Sequence, residues 1–259
     1  MGRLTGILTV LLDLDGTLYV GSQVVPGAPE AVRWLRDQGV AVRFTTNTDS
    51  VTPAALADRL AQLGFQTSEE ELVTPISVAA RLFASADDAR VLPVAADGVR
   101  QLLARFLAAP GEPVTHVLVA DPSYGATYDA LDAAFRAVRA GAELVATQVN
   151  RIARRDDGEH LDTGGWVRLL EYATGQTARM LGKPSPEFFT APLDALGRRP
   201  DTALVVGDDL VADIGGGQAV GAAAVLVRSG KGDRSQPGAE AEPDAILDSV
   251  AELPGLLQR

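Results

Sequence analysis

Cysteine is absent from this sequence of 259 residues, which excludes disulfides, thiolate metal sites and a cysteine nucleophile. Basic residues are also scarce: 23 Lys and Arg stand against 34 Asp and Glu, and the net charge is -11. An acidic surface of this kind argues against nucleic acid and anionic membranes as partners. A phosphorylated substrate would be repelled by the overall field. It would therefore have to be met by local positive charge, a metal ion or backbone N–H groups.

Long apolar runs are missing as well, and no stretch is long enough to span a bilayer. The residues before Asp13 are too few for a signal peptide, so we expect a soluble cytoplasmic protein with no membrane partner. Apolar residues nevertheless make up 46% of the chain, which is ample for a buried core. The length allows one large or two modest domains.

Two carboxylates directly follow the first apolar run. Residues 7–12 are typical of a buried parallel strand, and side chains alternate along a strand, so Asp13 and Asp15 start on the same face. Gly16 allows a sharp turn just beyond the strand. Two like charges this close oppose each other's ionisation, which a bound cation or a shared proton would relieve. Alternatively, Asp13 caps the next element and Asp15 occupies a turn.

Apolar strands and amphipathic helices alternate along most of the chain, which predicts an α/β fold with parallel strands. The alternation occurs in a first part, in a middle part and again towards the end. We therefore expect one domain built from residues 1–75 and 178–259, with a smaller α/β unit, residues 76–177, inserted into it. Residues 151–158 are expected to form a hairpin or loop, and residues 229–242, rich in Gly, Ser, Pro and charge, a surface loop.

Polar side chains also follow later strands, at the end where ligands bind in open α/β sheets. Thr46 and Asn47 end the second strand and can donate to phosphate oxygens, although Thr and Asn are equally typical of turns and helix caps. Lys183 follows a short apolar strand and could neutralise a phosphate, or simply be solvated.

Three further carboxylates crowd a later strand end, at Asp208, Asp209 and Asp213. Asp209 could cap the following helix, and Asp213 could then lie on that helix's surface. Uncompensated acids close to Asp13 and Asp15 would be costly without a cation. Ligands that are all oxygen favour Mg²⁺.

Four ordered segments carry a family resemblance: Asp13-Leu14-Asp15-Gly16-Thr17, Phe44-Thr45-Thr46-Asn47, Gly182-Lys183-Pro184-Ser185-Pro186 and Gly207-Asp208-Asp209-Leu210-Val211-Ala212-Asp213. Together they resemble the four motifs of the haloacid dehalogenase (HAD) superfamily. The insert lies between the second and third motifs, and its length matches the large α/β cap of the NagD-like, nitrophenylphosphatase-like branch. The resemblance implies a Rossmann-like, doubly wound parallel sheet as the core, with an inserted cap domain.

The resemblance also implies a function and a set of roles. The expected enzyme is a Mg²⁺-dependent phosphatase that hydrolyses a small phosphorylated compound, a phosphomonoester or a phosphoramidate or pyrophosphate, through an aspartyl-phosphate. The expected catalytic residues are Asp13, Asp15, Thr46 and Lys183. The expected metal ligands are Asp13, Asp15 and Asp208, with Asp209 and Asp213 orienting Lys183 or metal-bound waters. The expected substrate contacts are Thr46, Asn47, Lys183, Asn150 and Arg151.

Some alternatives stay open from the sequence. Asn150 and Arg151 occupy the place where many NagD-like caps carry an Asn-Pro-Asp turn, and they either touch substrate or belong to a solvated hairpin. The HAD scaffold also serves phosphomutases and phosphotransferases, and a non-catalytic binding protein is a more distant alternative. A homodimer formed through the cap would fit the resemblance.

Overall fold

The computed structural model describes residues 2–121, 126–155, 158–231 and 241–258. These residues form two compact units. The first unit comprises the described parts of Met1–Thr46, Pro53–Val73 and Lys183–Arg259, and the second comprises those of Asn47–Thr52 and Thr74–Gly182. The second unit therefore includes a short segment, Asn47–Thr52, that the sequence assigns to the first domain.

The described residues of the first unit build a six-stranded parallel sheet in the order β14-β13-β12-β1-β4-β5. Its strands are β1 (Thr9–Asp13), β4 (Ala41–Thr45), β5 (Leu72–Val73), β12 (Ala203–Gly207), β13 (Ala223–Val227) and β14 (Ala245–Leu247), with a small hairpin of β2 (Tyr19–Val20) and β3 (Gln23–Val24). Its α-helices are α1 (Ala28–Asp37), α2 (Pro53–Gln62), α7 (Pro186–Ala195), α8 (Gly216–Ala219) and α9 (Leu253–Leu257).

Strand β1 lies near the middle of this sheet and is buried along its whole length. Apolar side chains on both faces explain this position, because helices cover both sides of such a parallel sheet. The chain proceeds from β1 towards β4 and β5 in one direction and through β12 to β14 in the other. The strand order therefore reverses beside β1, which is where doubly wound folds form a crevice at the carboxyl ends of their strands.

The described residues of the second unit build a four-stranded parallel sheet in the order β11-β8-β7-β6, and a separate antiparallel pair. Its strands are β6 (Val91–Val94), β7 (His116–Val119), β8 (Glu143–Ala146), β9 (Ile152–Arg155), β10 (Gly158–Leu161) and β11 (Arg179–Met180). Its α-helices are α3 (Pro75–Ser85), α4 (Asp97–Leu102), α5 (Tyr128–Arg139) and α6 (Thr163–Thr174). The two parallel sheets with their helices confirm the predicted α/β class.

Strand β11 differs from the expectation for the domain boundary. The sequence places residues 178–181 in the first domain, whereas Arg179 and Met180 pair in parallel with Val145 and Ala146 of β8. The second unit consequently extends to Gly182. Its two ends are neighbours, because a Cβ built on Gly182 would approach Pro75 Cγ to 3.2 Å.

Other elements also depart from the sequence expectations. The sequence pattern predicts a helix over residues 98–108, but helix α4 ends at Leu102, because Ala108 donates its N–H to the carbonyl oxygen of Val91 and the chain there runs extended beside β6. The sequence pattern also predicts a helix from about residue 212, whereas the observed one begins earlier, as a π-helical segment over Leu210–Gly215. Within the stretch expected to form a hairpin or loop, Ile152–Arg155 form β9, which pairs antiparallel with β10; residues 156 and 157 lie outside the described residues. Residues 232–240 of the predicted surface loop lie outside the described residues.

Within the described ranges, no helix has both the length and the apolar composition needed to cross a membrane.

Candidate active site

Strand register brings the predicted carboxylates to one edge of the first sheet. Asp13, the last residue of β1, is aligned with Thr45 of β4, and Leu12 is aligned with Val206 of β12. Asp208 follows β12 by one residue. Both carboxylates are buried, Asp13 with 6% and Asp208 with 2% of its surface exposed.

Lys183 joins two of the buried acids. Its ammonium donates to Asp13 Oδ1 in a close contact and to Asp213 Oδ1 at 2.7 Å. Burial lowers the pKa of Lys183, but the negative charges of Asp13 and Asp213 outweigh that effect and hold its pKa above the usual range. Lys183 is therefore a buried ammonium that stays charged.

The acids outnumber this cation. Asp13, Asp208 and Asp213 each offer a carboxylate oxygen, and these atoms lie within 4.8 Å of one another. Burial raises the pKa of all three, and further neighbouring carboxylates raise it too, whereas Lys183 lowers that of Asp13 and Asp213. The donor set is all oxygen and negatively charged beyond what Lys183 compensates, so it fits a hard divalent cation.

The loop after β1 packs against Asp208. Gly16 has a φ of 90°, which favours glycine, and a Cβ on it would come 2.2 Å from Asp208 Oδ2. Thr17 Oγ1 donates to Asp13 Oδ2 at 3.4 Å. Asp15 is exposed, and its backbone forms an isolated bridge with Tyr19. The carboxylates of Asp13 and Asp15 thus have different environments: that of Asp13 is buried beside Lys183, and that of Asp15 is open to solvent.

Asp209 and Asp213 make different contacts. Asp209 Oδ1 accepts the N–H groups of Val211 (3.0 Å) and Ala212 (2.9 Å), so this residue caps the π-helical segment. Asp213 instead is 1% exposed, contacts Lys183, and accepts from Asp209 N at 3.2 Å. The surface position considered for Asp213 is therefore wrong. Because Asp213 also touches Lys183, it is placed to orient that side chain.

Ser229 and Lys231 reach the same site, although their sequence predicts a surface loop. Lys231 N donates to Asp208 Oδ2 at 2.6 Å, and its Nζ lies 3.4 Å from Asp209 Oδ2. Ser229 Oγ donates to the carbonyl oxygen of Gly16 at 2.7 Å. The sequence feature that could have indicated this contact is the position of both residues just after β13, which is a neighbour of β12 in the sheet.

The predicted phosphate-binding pair is divided between the two units. Thr46 is buried in the first unit and donates its N–H to the carbonyl of Val73 at 3.1 Å. Asn47 is half-buried in the second unit, where its Oδ1 would lie 2.8 Å from a Cβ on Gly182. Thr46 remains at the sheet edge that carries Asp13, as its strand register requires.

The predicted cap-loop residues Asn150 and Arg151 lie in the second unit, and both are exposed. Asn150 donates its N–H to Gln148 Oε1 at 2.7 Å. Arg151 lines a cavity of about 480 Å³ within this unit. Their contact with substrate stays a prediction. The remaining residues that line the cavity are Val149, Leu161, Gly164, Gly165 and Arg168.

Two family models match separate stretches of the chain. The haloacid dehalogenase-like hydrolase model matches residues 10–106, and a HAD-hydrolase-like model matches residues 180–253. Phospholysine phosphohistidine inorganic pyrophosphate phosphatase from Xenopus laevis is 35% identical over 250 residues, covering 94% of this chain and 90% of the relative.

Solved structures agree with this assignment. NagD from E. coli K-12 superposes with a TM-score of 0.85 at 26% identity, covering 95% of this chain and 98% of NagD. A glycerol phosphate phosphatase from Mycobacterium tuberculosis, solved in complex with magnesium, gives a TM-score of 0.81 at 30% identity, covering 97% of this chain and 77% of the other. The chain belongs to the haloacid dehalogenase-like hydrolases. It is an enzyme of the phosphatase and hydrolase class, as the four motifs predicted.

Proposed function

We propose that this chain is a Mg²⁺-dependent phosphatase that acts on a small phosphorylated compound through a phosphorylated Asp13. The observation that carries the proposal is the environment of Asp13. Its buried carboxylate ends the central strand, contacts the Lys183 ammonium and lies within reach of Asp208 and Asp213. The names of its relatives, which include two phosphatases, support the same reaction class.

Magnesium would be held by the Asp13 carboxylate, the main-chain carbonyl of Asp15 and the Asp208 carboxylate. The excess of buried negative charge and the oxygen-only donor set support this assignment. The relative solved with magnesium is consistent with it. When bound, the ion supplies positive charge that offsets the negative charge on the phosphoryl oxygens.

Asp13 acts as the nucleophile. One of its carboxylate oxygens forms a bond to phosphorus while the bond from phosphorus to the leaving group breaks, and Asp15 gives its proton to that leaving group. Asp15 then takes a proton from water as the water oxygen attacks phosphorus. The bond from phosphorus to Asp13 breaks, which releases phosphate and restores the Asp13 carboxylate and the protonated Asp15. The solvent-exposed position of Asp15 is compatible with proton exchange between turnovers.

Lys183 and Thr46 serve the phosphoryl group. Lys183 stays charged in a buried place, so it can offset charge on the phosphoryl oxygens where water screens little. Asp213 fixes its ammonium from the other side. Thr46 and Asn47 offer a hydroxyl and an amide as neutral donors.

The substrate is a small phosphorylated compound, either a phosphomonoester or one with a phosphoramidate or pyrophosphate bond. The Xenopus relative's name includes inorganic pyrophosphate, phospholysine and phosphohistidine, and the mycobacterial relative's name includes glycerol phosphate. In our proposal Asn150 and Arg151 contact the leaving group. A homodimer through the second unit and a cytoplasmic location remain predictions.

The test uses Asp13→Asn and p-nitrophenyl phosphate with Mg²⁺. We expect kcat to fall by about a thousandfold or more, since the nucleophile is lost. Asp194→Asn, on the exposed part of α7, serves as the matched control and should keep the wild-type rate. Mass spectrometry of acid-quenched wild-type enzyme should find one added phosphoryl group on the peptide containing Asp13.

Two results would contradict the proposal. Turnover by the Asp13→Asn variant within tenfold of the wild type would exclude Asp13 as the nucleophile. Transfer of the phosphoryl group to an added alcohol in preference to water would instead identify a phosphotransferase.

A further inference from the structure

The turn formed by Ser229, Gly230 and Lys231, called here the β13 turn, lies against the carboxylate of Asp208. We propose that the β13 turn is a positioning element that fixes Asp208 in the orientation needed to bind the metal ion. The inference rests on the proposed function, because that function makes Asp208 a ligand. It adds a fifth segment to the four motifs that the sequence predicts.

The first support is a hydrogen bond from the backbone. Lys231 N donates to Asp208 Oδ2 at 2.6 Å, and Asp208 is 2% exposed. A charge-assisted bond from a backbone N–H to a buried carboxylate is strong and directional. It therefore restricts the rotation of the Asp208 carboxylate independently of what side chain residue 231 carries.

The second support is the close packing of two glycines on the same oxygen. A Cβ on Gly230 would come 2.1 Å from Asp208 Oδ2 and 2.5 Å from the Cα of Gly16, and a Cβ on Gly16 would come 2.2 Å from that oxygen. The φ of Gly230 is not positive, so its backbone alone would accept alanine. The reason for glycine at position 230 is thus the space occupied by Asp208 and Gly16.

The third support is the link between the β13 turn and the loop after β1. Ser229 Oγ donates to the carbonyl oxygen of Gly16 at 2.7 Å, across 213 residues of sequence. This bond ties the turn to the motif that contains Asp13 and Asp15. Residue 208 is consequently enclosed between two backbone segments, each held to the other.

The Lys231 side chain has a separate environment. Its Nζ lies 3.4 Å from Asp209 Oδ2, and the side chain is 63% exposed. An ammonium near a cation site repels the cation, so this charge cannot be what favours metal binding. The positioning effect is assigned to the N–H of residue 231, to Gly230 and to Ser229.

The experiment measures Mg²⁺ affinity directly, by isothermal titration calorimetry of the full chain with MgCl₂ and no substrate. Gly230→Ala should weaken binding by about tenfold or more, the size typical when a partner that orients a metal ligand is lost. Gly255→Ala is the matched control and should bind as the wild type does, because nothing lies within 4 Å of a Cβ there. Lys231→Ala keeps the N–H and should not weaken binding.

A second pair keeps the test decisive if Gly230→Ala fails to fold. Ser229→Ala should weaken Mg²⁺ binding several-fold, and Ser229→Thr, which keeps the hydroxyl, should restore it. Affinities within twofold of the wild type for folded Gly230→Ala, or for Ser229→Ala, would overturn the inference.

Asp208→Asn separates this outcome from failure of the proposed function. If Asp208→Asn abolishes Mg²⁺ binding while the turn variants bind normally, only the role of the β13 turn is wrong. If Asp208→Asn binds Mg²⁺ as the wild type does, or the wild type does not bind it, the metal assignment itself is wrong and the inference falls with it.

Discussion

Each unit of this enzyme buries carboxylates, but the two regions compensate them differently. In the first unit, the Asp13 and Asp213 carboxylates share the ammonium of Lys183. In the second unit, Asp49 is 4% exposed. Within the described residues, its Oδ2 accepts three hydrogen bonds, each from a neutral donor. Those donors are Thr147 Oγ1 at 2.5 Å, Asp121 N at 3.2 Å and Thr163 Oγ1 at 3.3 Å.

In our proposal, this difference separates a carboxylate with a structural role, Asp49, from one that takes part in the reaction, Asp13. Burial raises the pKa of Asp49 just as it raises that of Asp13, so burial alone does not distinguish them. Asp49 joins residues from three parts of the second unit and is satisfied by hydroxyl and N–H donors. In the first unit, Asp13 and Asp213 share Lys183, and together with Asp208 they remain in excess of it, which is the arrangement for which we propose a metal ion.

The largest effect on this comparison is expected from Lys183→Met. Removing one partner of a buried ion pair costs about 3–5 kcal/mol of unfolding free energy, because the remaining charges are uncompensated. Urea unfolding in EDTA should show this loss, and Mg²⁺ should restore part of it by binding the native state. Arg199→Met is the control, since it breaks an exposed ion pair worth about 0–1 kcal/mol. A loss below about 1 kcal/mol for Lys183→Met would show that Lys183 does not compensate the buried acids of the first unit as described.

A smaller effect is expected from Asp49→Ala. The hydroxyls of Thr147 and Thr163 would lose a buried acceptor, which costs about 1–3 kcal/mol. Asp49→Asn keeps an acceptor oxygen and should lose less. Neither variant should recover stability with Mg²⁺ in the same unfolding assay, and a recovery like that of Lys183→Met would show that the two regions do not differ as described.

The third effect concerns pH. Burial raises the pKa of Asp49 above its usual 3.8, so the native protein binds that proton more readily than the unfolded chain does. Its contribution to stability is therefore full below pH 3.8 and is lost as the pH rises through the native pKa. Relative to Asp49→Asn, the wild type should gain stability as the pH falls from 7 towards 4, by at most about 1.4 kcal/mol per pH unit. A difference that is constant or of opposite sign would contradict this assignment.

The residues that the sequence located well are those at the ends of strands. Asp13 and Asp208 each lie at the end of an apolar run, and an apolar run indicates both the strand and the point where it ends. Parallel strands then bring those ends to one edge of a sheet. The convergence of Asp13 and Asp208 therefore follows from local patterns and the general rule for α/β folds. The contact between Lys183 and Asp13 does not follow from that rule, because the strand before Lys183, β11, pairs in the sheet of the second unit.

The β13 turn could not be found in this way. Its Gly, Ser and Lys residues are typical of a solvated loop, and its contact with Gly16 depends on the order of the strands in the sheet. That order is a tertiary property that no local pattern of residues contains. Asp49 was missed for a related reason, since it lies in the middle of first-domain sequence but packs with residues about a hundred positions further on.

The short strand β11 shows a third limit. Two residues carry too little pattern to indicate which sheet they join, so the predicted boundary at residue 178 preceded the observed one at Gly182.

Pro75 and Gly182, at the two ends of the long inserted segment, are neighbours in space. An inserted segment whose two ends lie close together can be replaced by another folded domain without separating the strands that flank it. The fold is thus compatible with modular evolution: one recombination event could replace the whole insert and leave Asp13 and Asp208 at the same edge of the first sheet.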